Sequence, residues 1–224
     1  MKHNILFLAA IYLLAACGSQ NKIKDSNSSS SNNNNNNDEQ WISLFDGKSM
    51  SGWKESEGPS FSIENGAIKV AGKRSHLYYD GTVNNHDFKN FELKMQVMTT
   101  PNSNSGVYFH TKFQQRGFPD DGFEVQVNNS HSDWKRTAGL YDIHDTAATF
   151  VKDNVWFEFS MIVKGKHVVT KINGQTIIDW TEPEGAVASE GHPGRIISSG
   201  TFALQAHDPK SVVYYKDIMV KPLP

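Results

Sequence analysis

The sequence predicts an all-β domain, two antiparallel sheets packed as a sandwich, on three observations. From Trp41 onward, apolar residues recur at every second position in short segments, the period of a strand with one face buried. Those segments are broken by Gly, Asn, Asp and Pro, and one break reads Asn173-Gly174, a pair that tolerates the positive φ of a tight hairpin turn. No stretch of this region carries a helical period beyond a turn or two. Many short strands over about 180 residues suit a two-sheet sandwich, with a jelly roll favoured by length.

The first element is not part of that sandwich. Lys2 and His3 precede an apolar run from Ile5 to Ala16, too short to cross a bilayer, which takes about 20 residues, but suited to a secretory signal peptide. It ends in Leu14-Ala15-Ala16-Cys17, which resembles the lipobox of bacterial lipoproteins. Cleavage is then expected before Cys17, whose sulfur would carry the lipid and act as a membrane anchor. Gly18 rather than Asp follows Cys17, so a bacterial cell envelope protein held at the outer membrane is expected. Of the 23 residues 18–40, 14 are Ser or Asn, too polar to offset the entropy of ordering and expected to form a flexible tether. The expected division is therefore 1–16 signal peptide, 17–40 lipidated Cys and tether, and 41–224 sandwich domain.

Composition narrows the function. The 224 residues carry 22 Lys+Arg against 24 Asp+Glu, a net charge of −2, with no basic cluster. A nucleic-acid partner is thus not expected, since it needs a concentrated Lys/Arg face. The single cysteine excludes an internal disulfide and a cysteine-based zinc site.

Within the domain, Phe91–Val97 alternates strictly, and Phe157, Phe159, Met161 and Val163 mark another strand. Two more flank Asn173-Gly174, and Gly200–His207 and Val212–Val220 complete the set. Val107, Phe109 and Thr111 alternate with Tyr108 and His110, and Phe123, Val125 and Val127 alternate with Glu124 and Gln126. The second faces of three strands thus carry Tyr108 and His110, Glu124 and Gln126, and Gln205 and His207. These hydrogen-bonding side chains differ from the Lys, Thr and Glu mixture of a solvated face, and side by side they would line a polar cleft with one carboxylate near its middle. Tyr78, Tyr79, Trp134 and Tyr141 are candidates for flat walls on which sugar rings stack, whereas Trp53, Trp156 and Trp180 read as core or hairpin packing.

Several segments together resemble the 3-keto-disaccharide hydrolase domain family. They are Trp41-Ile42-Ser43-Leu44-Phe45-Asp46-Gly47 with Gly52-Trp53, Asn104-Ser105-Gly106-Val107-Tyr108-Phe109, Gly122-Phe123-Glu124-Val125-Gln126-Val127, Ala138-Gly139-Leu140-Tyr141, Leu204-Gln205-Ala206-His207 and Val213-Tyr214-Tyr215-Lys216-Asp217-Ile218. The resemblance runs from Trp41 to Leu223 and implies a concanavalin A-like jelly roll. The sequence departs from the family pattern in having His110 where many members have Arg, Asp208 where a Gly follows the late His, and a variable loop Gly185–Gly200 that contains Arg195.

What the resemblance implies is cleavage of the glycosidic bond of 3-keto-disaccharides or 3-keto-glycosides. The ketone acidifies the C2 hydrogen, so one base suffices to remove it, and the enolate can expel the C1 substituent before water adds back. The catalytic candidates are Glu124 and His207 as base, with His110 and His144 as acid or enolate stabiliser; Tyr108, Gln126, Gln205, Tyr141, Trp134 and Arg195 are the substrate-binding candidates. A retaining glycosidase needs two carboxyls about 5–5.5 Å apart. The strand Glu124-Val125-Gln126-Val127-Asn128 offers only one, leaving Asp142 as a partner from elsewhere. A divalent metal is a possible cofactor if His110, Glu124, His144 and His207 converge, while Asp120-Asp121-Gly122 reads as a turn. The alternative is a cell-surface carbohydrate-binding, lectin-like lipoprotein that binds ordinary glycans without turnover.

Overall fold

The computed structural model describes residues 40–224 apart from residue 189. The expected signal peptide, Cys17 and all of the expected tether but Gln40 lie outside the described residues. The described chain forms thirteen strands: β1 (Ile42–Ser43), β2 (Trp53–Glu55), β3 (Phe61–Glu64), β4 (Ala67–Ala71), β5 (Ser75–Tyr79), β6 (Phe91–Thr99), β7 (Ser105–Thr111), β8 (Phe123–Val127), β9 (Phe157–Lys164), β10 (His167–Ile172), β11 (Gln175–Thr181), β12 (Thr201–Ala206) and β13 (Val212–Pro222). Among these residues the only helical element is a short 3₁₀ turn, Val83–His86.

The strands form two antiparallel sheets, the expected jelly-roll sandwich. One runs β11-β10-β9-β6-β13-β4-β3, with β1 also paired to β13; the other runs β2-β5-β12-β7-β8. Strict alternation in β6 and β9 sends Phe91, Leu93, Met95 and Val97, and Phe157, Phe159, Met161 and Val163, into the core. The second sheet answers with Leu77, Val107, Phe109, Phe123, Val125, Phe202 and Leu204, and the rings of Phe109 and Phe123 stack at 5.3 Å. Asn173 and Gly174 take φ of 49° and 79° and join β10 to β11 as their composition demands. Trp53 is buried and donates its indole N–H to the Leu44 carbonyl at 2.8 Å. Tyr79 packs in the core, on the inner face of the second sheet.

The second sheet is buried on both faces: every residue of β5, β7, β8 and β12 is buried. Its outer face is therefore covered by loops, among them stretches of residues 112–122, 128–145 and 190–200. One irregularity changes which residues point there. Between β7 and β12 the register passes from Thr201 opposite Thr111 to Ala203 opposite Tyr108, three residues of β7 facing two of β12, which is a β-bulge. His110 sits in this bulge at φ 55°. The alternation that would have aligned it with Tyr108 is broken there. Its ring packs among Phe91 and Phe109, and its nitrogens face the Lys89 carbonyl at 2.9 Å and the Ser198 N–H at 3.3 Å.

Gly122, which leads into β8, completes this corner. Its φ is 81°, and a Cβ there would stand 2.2 Å from the Phe109 carbonyl oxygen. A left-handed non-glycine costs about 1–3 kcal/mol before any clash. Gly122→Ala is accordingly expected to lower stability by about 3 kcal/mol, a melting temperature roughly 6–12 °C lower for a domain of this size, read by thermal denaturation.

Candidate active site

On the outer face of the second sheet, cross-strand pairing sets two rows of side chains. One row is Tyr78, Ala203, Tyr108 and Glu124; the row beside it is His76, Gln205, Gly106 and Gln126. Gly106 explains how the rows meet. A Cβ at this position would lie 2.3 Å from Glu124 Oε1 and 2.8 Å from its Cγ, so the missing side chain is the space through which Glu124 folds over β7. The carboxylate then accepts a hydrogen bond from the Tyr108 hydroxyl at 2.6 Å and one from the Gln205 amide at 3.1 Å. The Gln205 amide also lies 3.1 Å from the Tyr108 oxygen. Gln126, next along β8, donates to Asn104 Oδ1 at 2.7 Å.

These residues floor a cleft of about 210 Å³. Burial pushes the Glu124 carboxyl up to about 7; hydrogen bonds from Tyr108 and Gln205, and the nearby His207 and Arg195, hold it from rising further. Burial, and next the Glu124 charge, push the Tyr108 hydroxyl well above the usual phenol range, so the shared proton stays on tyrosine. At one wall stands His207. Its Nδ1 is 2.9 Å from Asp208 Oδ2, which leaves Nε2 as its free nitrogen. Burial would raise the Asp208 carboxyl, but hydrogen bonds from Ser211, His207 and the Lys210 N–H outweigh it and bring it down to about 2. An anionic Asp208 fixes the orientation of its neighbour's ring.

The loops supply the other walls. Segment Ala138–Tyr141 runs beside β8 like an extra strand: Ala138 N–H bonds to the Gln126 carbonyl, Gln126 N–H to that of Gly139, and Tyr141 N–H to that of Glu124, each at 2.9 Å. Tyr141 and Asp142 thereby enter the cleft. Asp142 forms an ion pair with Lys135 and lies 4.0 Å from Arg195, and Lys135 also sits 3.7 Å over the Tyr141 ring. Arg195 is nearly buried and its guanidinium contacts His192 Nδ1 at 3.2 Å.

The cleft thus gathers seven of the ten catalytic and substrate-binding candidates, Tyr108, Glu124, Gln126, Tyr141, Arg195, Gln205 and His207, together with the partner carboxylate considered, Asp142. Three others lie elsewhere. His110 is turned into the core by the bulge. His144 serves through its backbone, which closes a turn on Leu140, while its side chain is exposed. Trp134 is 56% exposed and lies outside the cleft. The suggested metal set of His110, Glu124, His144 and His207 is therefore not assembled, and among the described residues no three His, Cys, Asp or Glu side chains stand together as ligands. Sequence reasoning missed Phe118, Pro119, Asp133 and His192, which loops bring over the sheet, and the part played by Asp208. The signal for Asp208 was present, as a carboxylate directly after the late His.

Comparison with known proteins places this architecture. The model of the 3-keto-alpha-glucoside-1,2-lyase-like domain matches residues 40–221. The chain belongs to this family. It is 26% identical over 174 residues to a 3-keto-disaccharide hydrolase of Bacteroides thetaiotaomicron, a match covering 63% of this chain and 60% of that protein. A solved structure of a candidate glycosyl hydrolase from Parabacteroides distasonis is similar with a TM-score of 0.69 and 22% identity, over 82% of this chain and 94% of that one. A Bacillus subtilis protein of galectin-like fold is similar with a TM-score of 0.63 and 12% identity, over 82% and 94% of the two chains. These structural likenesses concern the fold of the lyase-like domain.

The raised carboxyl of this lyase-like domain has a thermodynamic signature. Because the folded state holds the Glu124 proton up to about pH 7 and the unfolded chain only to about 4.5, the native state binds more protons between those values. Its contribution to stability is full below pH 4.5 and is lost as pH rises through 7. Glu124→Gln removes that loss. Relative to wild type, the variant is expected to gain about 3 kcal/mol between pH 4.5 and 8, measured as the difference of two urea-unfolding series.

Proposed function

We propose that the cleft cleaves the glycosidic bond of 3-keto-disaccharides or 3-keto-glycosides by proton abstraction, elimination and rehydration. One observation carries this reading: a single buried carboxylate, with its ordinary acidity weakened to about pH 7, stands at the floor of a cleft between hydrogen-bond donors. A carboxylate raised this far is a stronger base than an exposed one, and its pKa matches a working pH near neutrality. Family membership and the hydrolase relative support the substrate class. The cleft volume suits one sugar ring at the reacting position, and the charges around it are largely paired, in keeping with a neutral ligand.

In this reading Glu124 takes the proton from C2, next to the ketone, and the C2 electron pair delocalises onto O3. Arg195, always charged, faces the developing enolate and stabilises it. The electrons return to form the C1–C2 double bond as the C1–O bond breaks, and His207, entering this step as the imidazolium with Nδ1–H on Asp208, gives its Nε2 proton to the leaving oxygen. Asp208 keeps that ring oriented throughout. Water then attacks C1 with His207 as base, and the proton held by Glu124 goes back to C2. The net change is addition of one water across the glycosidic bond. Tyr141, held beside Glu124 through the backbone, offers its ring to the sugar face.

The activity test follows release of free sugar from a C3-oxidised disaccharide and from its unoxidised parent. Turnover is expected of the first alone, with kcat/KM rising as pH passes upward through about 7 while Glu124 ionises. Glu124→Gln and His207→Ala are each expected to lose about 10²–10⁴-fold. Full activity in both variants would end the assignment, and binding of ordinary glycans without turnover would favour the lectin-like alternative.

We also propose that Cys17 carries a lipid that anchors the domain to a bacterial outer membrane through the Ser/Asn-rich segment. The support is the lipobox-like Leu14-Ala15-Ala16-Cys17. Cys17→Ser should move the protein from the membrane to the soluble fraction after cell fractionation; an unchanged distribution would refute the anchor.

A further inference from the structure

Gln205 meets Tyr108 and Glu124 only through its amide N–H group. Its carbonyl Oε1 is buried without a partner, and so are both ring nitrogens of His76. Few interior polar groups are left in this state, and each calls for a reason. A neutral imidazole has one donor and one acceptor, and leaving such a group unmade costs about 1–3 kcal/mol. Burial pushes the His76 imidazole down to about 4, so the ring is neutral where it works. The two residues are neighbours, since His76 on β5 pairs with Gln205 on β12 and both side chains lie on the outer face of the sheet.

Of the three rings packed against His76, those of Tyr78, Tyr108 and Phe118, only Phe118 comes from a loop. The Phe118 and His76 rings meet edge-on at 5.8 Å, yet Phe118 is 46% exposed and also lines the cleft. Its remaining ring contacts are the Arg74 guanidinium at 5.3 Å and the His207 ring at 6.5 Å. It is a half-exposed cover over a fully buried polar group, on a loop tied down next to it by the bond from Gly117 N–H to Glu57.

We propose that His76, uncovered when Phe118 turns aside, forms with Oε1 of Gln205 a second sugar subsite that receives the hydroxyls of the leaving group. This rests on the function proposed above. The spacing fits: the Glu124 carboxylate already reaches Gln205, and His76 lies one strand beyond, about 4.8 Å, close to the width of a pyranose ring. The chemistry fits as well. A sugar hydroxyl both donates and accepts, so it satisfies an imidazole nitrogen and an amide oxygen at once. The Tyr108 ring, 5.4 Å from His76 and perpendicular to it, gives the subsite an apolar side.

His76→Phe fills the same space without nitrogens. For this variant the ratio of kcat/KM on a 3-keto-disaccharide to kcat/KM on methyl 3-keto-glucoside, whose leaving group is methanol, is expected to fall about tenfold, the effect of one lost hydrogen bond, through a higher KM for the disaccharide. An unchanged ratio overturns the proposal. A second measurement does not depend on turnover. Glucose, standing for the leaving sugar, is titrated into wild type and into Glu124→Gln while the imidazole ¹⁵N signals are recorded. Saturable shifts of the His76 signals in both proteins are expected, and their absence overturns the subsite. Failure of the chemistry assigned to Glu124 would leave these shifts in place, so the two readings fail separately.

Discussion

The outer face of the five-stranded sheet is organised around one carboxylate taken out of water. An ionised carboxylate is costly in a low-dielectric interior unless it is hydrogen-bonded. Here the compensation is partial: two donors, Tyr108 and Gln205, for a group that could accept about four bonds. Incomplete satisfaction is what leaves its acidity near neutrality. Gly106 is the condition for the arrangement, because any side chain on that residue of β7 would occupy the place of the Glu124 stem. The site therefore costs stability locally, and the aromatic core beneath it, where Phe88 and Phe202 stack at 4.6 Å and Phe109 and Phe123 at 5.3 Å, offsets that cost.

Dryness depends on loops that are held firmly. The connection from β8 to β9 is fastened by the Asp153 carboxylate, which accepts from Thr99 at 2.6 Å and Ser130 at 2.5 Å, and by Asn129, bonded to Thr99 and Thr137. This polar network lies away from the cleft and makes the long connection behave as part of the scaffold. Tyr141, Asp142 and Lys135 are placed by it rather than by sheet register alone. Without such fastening the outer face would be wet, and Glu124 would titrate as an ordinary surface glutamate.

Much of this was legible in the sequence because strands write their facing into the chain. The period of two in β6 and β9 marked the core, and hydrogen-bonding residues on the second faces of β7, β8 and β12 marked the site. The reading failed at His110, where one extra residue in a bulge reverses the parity of everything beyond it, and a non-glycine at positive φ carries no local sign of that. It failed again in the loops, which have no period. Trp134 and Tyr141 stand in the same connection and look equally fit to stack on a sugar; only the backbone bond from Tyr141 to Glu124 separates them. The short strands β1 to β5 also escaped individual assignment, since two to five residues hold too few alternations to be distinguished from turns.

The segment that positions Tyr141 has another consequence. By lying along β8 it occupies the edge that would otherwise present free N–H and C=O groups to a neighbouring molecule. The opposite edge is β2, only three residues long and carrying an exposed lysine, Lys54. This sheet is covered by its own chain at one end and stops in a short, charged strand at the other. Copies crowded together thus find no long strand edge on the sheet that carries the site; the seven-residue edge strand β11 belongs to the other sheet.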